Sequence, residues 1–511
     1  MEAMIVSGQR RLSHAALQGR VARAAGGFDA LGLAENDAVA LLLRNDFAFF
    51  EAALGAVQIG AYAVPINWHF TGEEVGYILA DCQARVLVVH ADLVARLEGH
   101  LPKGIELFVV PTPPEIQDAY GIAPAAAVAP PGATLWDDWL TRQPAWTAPA
   151  KALRSSMIYT SGTTGRPKGV RRAPATSVQV AKIAEMVSTV FDMRAGEALR
   201  TVISGPMYHS APNLYGLSAA RNGGHVVLQP RFDAEGLLRL IEAHRISHVH
   251  MVPVMFVRLL KLPAAIRAKY DLSSLRFVVH AAAPCPAEVK RAMVEWWGPV
   301  INEYYGATET GALTFHDSAE ALAKPGTVGR PTPGARIEIH DPQGRALPVG
   351  EIGEVYGRLD AYPDFTYQGR EAERADVGRG DLVTCGDVGY FDADGYLFLC
   401  DRARDMVISG GVNIYPAEIE AVLVQLAGVR DCAVFGIPDD EFGEALMACI
   451  EPDGSRQLDA AAVREHLGRH LAGYKMPRRI EFRDALPRED SGKIFKRRLR
   501  DPYWQDAGRR I

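Results

Sequence analysis

Short apolar runs of strand length alternate with stretches of helical periodicity along this chain, and that alternation limits the folds open to it. Ala38–Leu43 is a buried-strand run, and Asp46 stands where it can cap a following helix whose Phe47, Phe50, Leu54, Val57 and Ala61 share one face. A strand (Ala63–Ile66), a helix (Glu73–Cys82) and a strand (Val86–Val89) come next. The pattern returns as His225–Leu228, a helix through Leu237–His244, His248–Val252, a helix near Val257, Phe277–His280, a helix from Ala287, and Val300–Tyr304. Such alternation predicts an α/β fold of parallel-rich, helix-covered sheets, with ligands gathering at the carboxyl ends of strands.

Two segments interrupt the pattern. Residues 111–150, rich in Pro and Ala, read as a surface loop or insertion. Beyond Asp401 a charged crossing, Asp401-Arg402-Ala403-Arg404-Asp405, leads to a helix at Pro416–Leu426. Strands at Cys432–Ile437 and Met447–Ile450 and a helix near Ala460–Leu471 follow. This is a compact α+β unit of domain size, so the boundary falls at Arg404, giving domains 1–403 and 404–511.

Composition narrows the function. With 55 Lys and Arg against 61 Asp and Glu, the net charge of −6 argues against bulk nucleic-acid binding. Six cysteines with no CxxC pair give neither a disulfide framework nor a zinc cluster, and they read as reduced core residues in a cytoplasmic protein. No apolar run reaches the ~18–20 residues of a membrane span, which leaves peripheral membrane contact open.

Four motifs carry chemistry. The first is Tyr159-Thr160-Ser161-Gly162-Thr163-Thr164-Gly165-Arg166-Pro167-Lys168-Gly169, after a short strand at Met157–Tyr159. Glycines let backbone N–H groups approach phosphate oxygens, hydroxyls add donors, and lysine adds positive charge. It is not a Walker A loop, because Lys168 is followed by Gly169 and Val170.

The second is Tyr304-Tyr305-Gly306-Ala307-Thr308-Glu309, where an aromatic can stack on a base and a carboxylate beside a hydroxyl can hold a phosphate-bound metal. A plain strand-end turn is the competing reading. The third pairs Gly386-Asp387 with Asp401-Arg402, acidic groups able to accept from ribose hydroxyls or to be ordinary loop charges. The fourth, Ser491-Gly492-Lys493-Ile494 before Lys496, Arg497 and Arg498, reads alone as a solvated basic tail. Arg171 and Arg172 read as a solvated pair, with contact to CoA phosphates as the alternative.

Taken in this order, the four motifs resemble the adenylate-forming superfamily of acyl-CoA synthetases, luciferases and peptide-synthetase adenylation domains. The resemblance runs from Ser13 to Arg498, and Gly410-Gly411 through Glu420 is similar to the CoA-ligase branch. It implies ATP-dependent activation of a carboxylic acid to acyl-AMP with pyrophosphate release, then transfer to coenzyme A, in a monomer or homodimer.

By the same resemblance Ser161, Gly162, Thr163, Thr164, Gly165 and Lys168 hold the leaving pyrophosphate. Ala282, Ala283, Pro284, Tyr304, Tyr305 and Gly306 surround adenine; Thr164, Thr308 and Glu309 serve Mg²⁺; Asp387 and Arg402 take the ribose and phosphate. Lys493 reaches the reacting carboxylate from a small domain that turns about Arg404, which brings Gly410 and Gly411 over a CoA channel. His209, in Pro206-Met207-Tyr208-His209-Ser210-Ala211-Pro212, flanks the acyl carboxylate, and Met251 to Val254 add apolar wall. A medium- or long-chain fatty acid is the expected substrate. An aromatic, alicyclic or bile-acid-type acid, or loading of a carrier protein, is the alternative, and a non-catalytic nucleotide sensor is the rival from another class.

Overall fold

A computed structural model describes residues 3–160, 166–194, 196–402, 405–409, 412–439, 441–488 and 494–505. The predicted parallel core is present. His225–Leu228, Arg200–Ile203, His248–Met251, Phe277–His280 and Ile301–Ala307 lie side by side, all parallel. A second parallel sheet orders Tyr62–Pro65, Ala38–Leu42, Ala84–His90, Glu106–Val110 and Thr134–Leu135. Their strands read as unbroken apolar runs because both faces are covered. The helix Phe47–Gln58 begins where Asp46 accepts the Phe47 N–H, and Gly72–Asp81 opens with a Thr71/Glu74 capping box.

Two features depart from the sequence reading. Residues 111–150 are not simply a surface loop. They hold the helices Pro114–Tyr120 and Trp136–Thr141, and Thr134–Leu135 extends the second sheet. Trp136 is buried and its indole N–H donates to Glu51 at 2.7 Å, so a short aromatic helix hidden by its Pro/Ala surroundings closes the core. The large sheet also changes character after Ile301–Ala307. It continues antiparallel through Gly311–His316, Thr327–Pro331, Leu397–Arg402, Leu382–Phe391, Gly353–Leu359 and Ala335–His340.

After Arg402 a separate α+β unit begins. The hairpin Val407–Ser409 and Val412–Ile414 joins the long pair Val429–Asp439 and Gly443–Pro452, with Arg479–Phe482 parallel to the latter. Helices Pro416–Leu423, Ala460–Gly468 and Lys496–Trp504 accompany this sheet. The Asp401 carboxylate accepts the Ala417 N–H at 2.9 Å, and Lys261 Nζ donates to the Val429 and Arg430 carbonyls at 2.8 and 3.1 Å. All six cysteines are unpaired, and Cys82, Cys432 and Cys449 are buried. Among the described residues no helix is long and apolar enough to cross a membrane.

Candidate active site

The glycine-rich motif joins two antiparallel strands, Ile158–Thr160 and Lys168–Arg172, with Thr160 opposite Lys168. Ser161 to Gly165 lie outside the described residues, as do Arg404, Gly410, Gly411, Ser491, Gly492 and Lys493. The flanks of the motif are anchored. Tyr159 donates to Asp81 at 2.6 Å, Arg370 donates to the Tyr77 hydroxyl at 2.7 Å, and Arg166 lies over the Tyr77 ring. Lys168 Nζ sits 2.5 Å from a Glu373 carboxylate oxygen and 5.2 Å from the centre of the Tyr367 ring. Its ammonium already holds an anion, the kind of partner a phosphate would replace.

The second motif closes the hairpin of Ile301–Ala307 with Gly311–His316. A Cβ on Gly306 would stand 1.9 Å from the Gly311 carbonyl, so only glycine fits. The turn brings Thr308 within 3.0 Å of the Ser210 hydroxyl and sets the Glu309 carboxylate beside Thr160 Oγ1 (3.4 Å) and the Tyr367 hydroxyl (3.3 Å). The Cys385 thiol lies 3.9 Å from the same carboxylate. Burial, then the charges of Glu309 and Asp387, push it well above the usual thiol range. The donors around Glu309 are therefore hard oxygens and a protonated thiol. One carboxylate with hydroxyls suits Mg²⁺, which takes most of its ligands from substrate phosphates and water. Among the described residues no cluster of three or more His, Cys, Asp or Glu could hold a metal ion by itself.

The third motif meets the second. Tyr305 donates to Asp387 Oδ2 at 2.7 Å, and Arg402 Nε lies 3.3 Å from Asp387 Oδ1, across a strand pair in which Asp387 and Arg402 are opposite. Burial first, and the Asp387 charge next, hold the Tyr305 hydroxyl protonated as a donor.

Tyr304 turns the other way, as neighbours on a strand must. Its side chain lies opposite that of Tyr305 and packs in the core, where its hydroxyl is 3.2 Å from His250 Nε2 and its ring is 5.7 Å from Phe191. Placing Tyr304 around adenine is thus corrected to a backbone role at most.

Ala282, Ala283 and Pro284 form an exposed loop after Phe277–His280, and Ala282 holds φ = +75°. A left-handed alanine costs roughly 1–2 kcal/mol. We expect Ala282→Gly to raise stability by up to about 1 kcal/mol, since glycine relieves the strain but gives back part of the gain through its larger loss of chain entropy on folding. A lower denaturation midpoint would refute this.

His209 precedes the helix Ser210–Arg221, with its ring 4.4 Å from that of Tyr208, which stands edge-on to Trp68 at 4.6 Å. Two amides that belong to no motif fix this segment. Asn45 donates to the Gly205 carbonyl (2.8 Å) and accepts the Met207 N–H (2.9 Å), and Asn213 donates to the Met207 carbonyl (2.9 Å). Single asparagines carry no pattern, so only the fold reveals them. The expectation that Arg171 and Arg172 are a solvated pair fails for Arg172, which is buried under Tyr362 and Phe365.

Behind the Ser210 helix, Phe191, Tyr215, His250 and Tyr304 pack ring against ring, with Phe191 and Tyr215 centred 5.2 Å apart and Tyr215 and His250 5.4 Å. Burial lowers His250 from the usual 6.5 to about 4. The unfolded chain therefore takes up a proton near pH 6.5 that the folded protein refuses until about pH 4. Stability should fall as pH drops through that window, by about 3 kcal/mol from this residue. Denaturation midpoints followed from pH 7.5 to 4.5 should decline less steeply in His250→Phe than in the parent, and equal slopes would refute the assignment.

Hydrogen bonds and ion pairs thus bring the strands flanking the glycine-rich motif, the Thr308–Glu309 turn and the Asp387–Arg402 pair into one neighbourhood of polar and charged side chains. Residues 1–360 match the AMP-binding enzyme family and residues 418–493 the AMP-binding enzyme C-terminal domain. The chain is 35% identical over 502 residues to a feruloyl-CoA synthase of Amycolatopsis sp, covering 96% of this chain and 94% of that protein. It is 32% identical over 509 residues to the long-chain-fatty-acid–CoA ligase FadD13 of Mycobacterium tuberculosis, covering 96% and 93%. The fold superposes on the anthranilate CoA ligase AuaEII in complex with anthranoyl-AMP with a TM-score of 0.85, at 27% identity and over 99% of this chain and 95% of that one. The chain belongs to the AMP-binding enzyme family. Its activity is that of an acyl-CoA ligase that works through an acyl adenylate.

Proposed function

We propose that this enzyme activates a compact apolar monocarboxylic acid, an aryl-bearing acid before a long-chain fatty acid. The observation that carries this is the ring packing of Phe191, Tyr215, His250 and Tyr304, buried side chains that fill the space between the Ser210 helix and the strands bearing His250 and Tyr304. A tail entering near His209 and Thr308 meets that packed layer, which favours a short flat acid over a long flexible one. The likeness to a feruloyl-CoA synthase supports the same choice. The expectation of a medium- or long-chain fatty acid stays as the second reading, supported by the likeness to FadD13 and by buried Met251 on the same strand as His250.

In this reading the acid's carboxylate attacks the α-phosphorus of ATP, pyrophosphate leaves toward Lys168 and the glycine-rich loop, and the thiol of coenzyme A then displaces AMP. The protein supplies orientation and charge rather than a nucleophile. Tyr305, Asp387 and Arg402 seat the nucleoside, and Thr308 and Glu309 face the phosphates. Glu309 would hold Mg²⁺, whose charge would offset that of the phosphates. The small domain turns about Arg404 between the two half-reactions, carrying Lys493 to the site for the first and Gly410-Gly411 for the second.

Pyrophosphate release measured with ATP and Mg²⁺ across cinnamic, benzoic, arylacetic, bile and C6–C18 fatty acids, with and without CoA, tests this. Preference for the aryl acids with thioester formed from free CoA supports it. A chain-length optimum among the fatty acids would transfer the assignment to the second reading, and adenylate that clears only with a carrier protein would replace CoA as acceptor.

A further inference from the structure

We infer that Arg172 is a positioning residue for the metal-facing turn, one that ties the strand leaving the phosphate loop to the backbone of Thr308 and Glu309. The inference rests on reading Glu309 as the metal-facing group. Arg172 ends the strand Lys168–Arg172, only four residues beyond Lys168. Its guanidinium is enclosed and donates to three carbonyls: Pro363 at 2.6 Å, Thr308 at 2.9 Å and Glu309 at 2.6 Å. Tyr362 and Phe365 lie against the cation at 5.0 and 5.6 Å from their ring centres, and the Arg172 carbonyl accepts from the Tyr62 hydroxyl at 2.6 Å.

Burying a cation whose hydrogen bonds go to backbone carbonyls is costly, and the charges of Glu309 and Asp364 nearby offset that burial only in part. What the fork gains is geometry. A planar guanidinium can reach three carbonyls at fixed angles, which a lysine ammonium on a flexible stem cannot match. The carbonyls it holds belong to the two residues whose side chains face the phosphates. The Glu309 side chain is steadied separately by Thr160, whose strand pairs with that of Arg172. Backbone and side chain of the turn are thus both fixed to the phosphate-loop hairpin, so the metal-facing carboxylate and the phosphate-facing lysine keep one spacing.

The test compares binding of ATP in excess Mg²⁺ and in EDTA by isothermal titration, on full-length protein, for Arg172→Gln, Arg172→Lys and Glu309→Gln. Arg172→Gln should weaken binding in Mg²⁺ by about tenfold or more, the scale on which outer residues tune metal sites, and change binding in EDTA by less than about twofold. Arg172→Lys should show the same selectivity, less strongly. If Arg172→Gln does not fold, Arg172→Lys is read by the same two isotherms. Equal losses in both conditions, no loss in either, or failure of both variants to fold assigns Arg172 to the fold alone and overturns the proposal. Glu309→Gln keeps the two ideas apart: if it shows no metal-selective loss, the metal-facing reading itself fails.

Discussion

Replacing Lys493 with alanine should lower acyl-adenylate formation by about 10²–10³-fold, the usual cost of losing one charge that stabilises a transition state. Thioester formation from supplied acyl-AMP should fall far less. The first half-reaction brings a carboxylate against the triphosphate, two anions whose approach needs a cation held in place. In the second half-reaction the thiol attacks an adenylate that is already activated. Lys496, three residues further on, cannot substitute, because it is half-buried and held in an ion pair with Glu420 at 2.7 Å. Single-turnover assays of each half-reaction would decide the matter, and equal losses in both would remove Lys493 from this role.

Glu303→Gln should destabilise the large domain by about 3–5 kcal/mol, the cost of stripping one partner from a buried ion pair. Glu303 precedes Tyr304 on its strand and takes an ion pair from Lys290 and a contact from His316 Nε2 at 3.0 Å, with His280 Nε2 at 3.8 Å. Burial opposes its charge, but Lys290, His280 and His316 outweigh it and hold the carboxyl below the usual carboxylate range. Neutralising Glu303 leaves the Lys290 ammonium buried without its carboxylate partner. The double variant Glu303→Gln, Lys290→Met should recover part of the loss, since the orphaned cation goes with it. Denaturation curves showing a cost below about 1 kcal/mol for the single change would refute the buried-pair assignment.

The parallel core was legible because its strands are apolar on both faces and its helices on one, a local pattern that needs no tertiary knowledge. His225–Leu228 and Phe277–His280 run from the residues expected to the residues expected. The helix at Trp136–Thr141 was not legible, since six residues carry too little periodicity to stand out from a Pro/Ala background. The antiparallel half was missed for a related reason: its strands are half exposed and interleaved with turns, so no apolar run announces them. Lys168, Thr308, Glu309, Tyr305, Asp387 and Arg402 stand out in sequence as members of the first three motifs, and the fold brings them into one neighbourhood of side chains.

By itself the sequence determined the class of chemistry, because four motifs in this order resemble the adenylate-forming superfamily although three of them taken singly have ordinary readings. Only the tertiary structure decided which neighbours support them. Tyr304 packs in the core while Tyr305 meets Asp387, because a strand alternates its faces. Asn45 reaches across 160 residues of chain to fix the acyl segment. Arg172, which reads as solvated in the sequence, is buried because three carbonyls from distant turns converge on it. Hydrogen bonds between segments remote in sequence leave no local pattern, so these positions become visible only when the chain is folded.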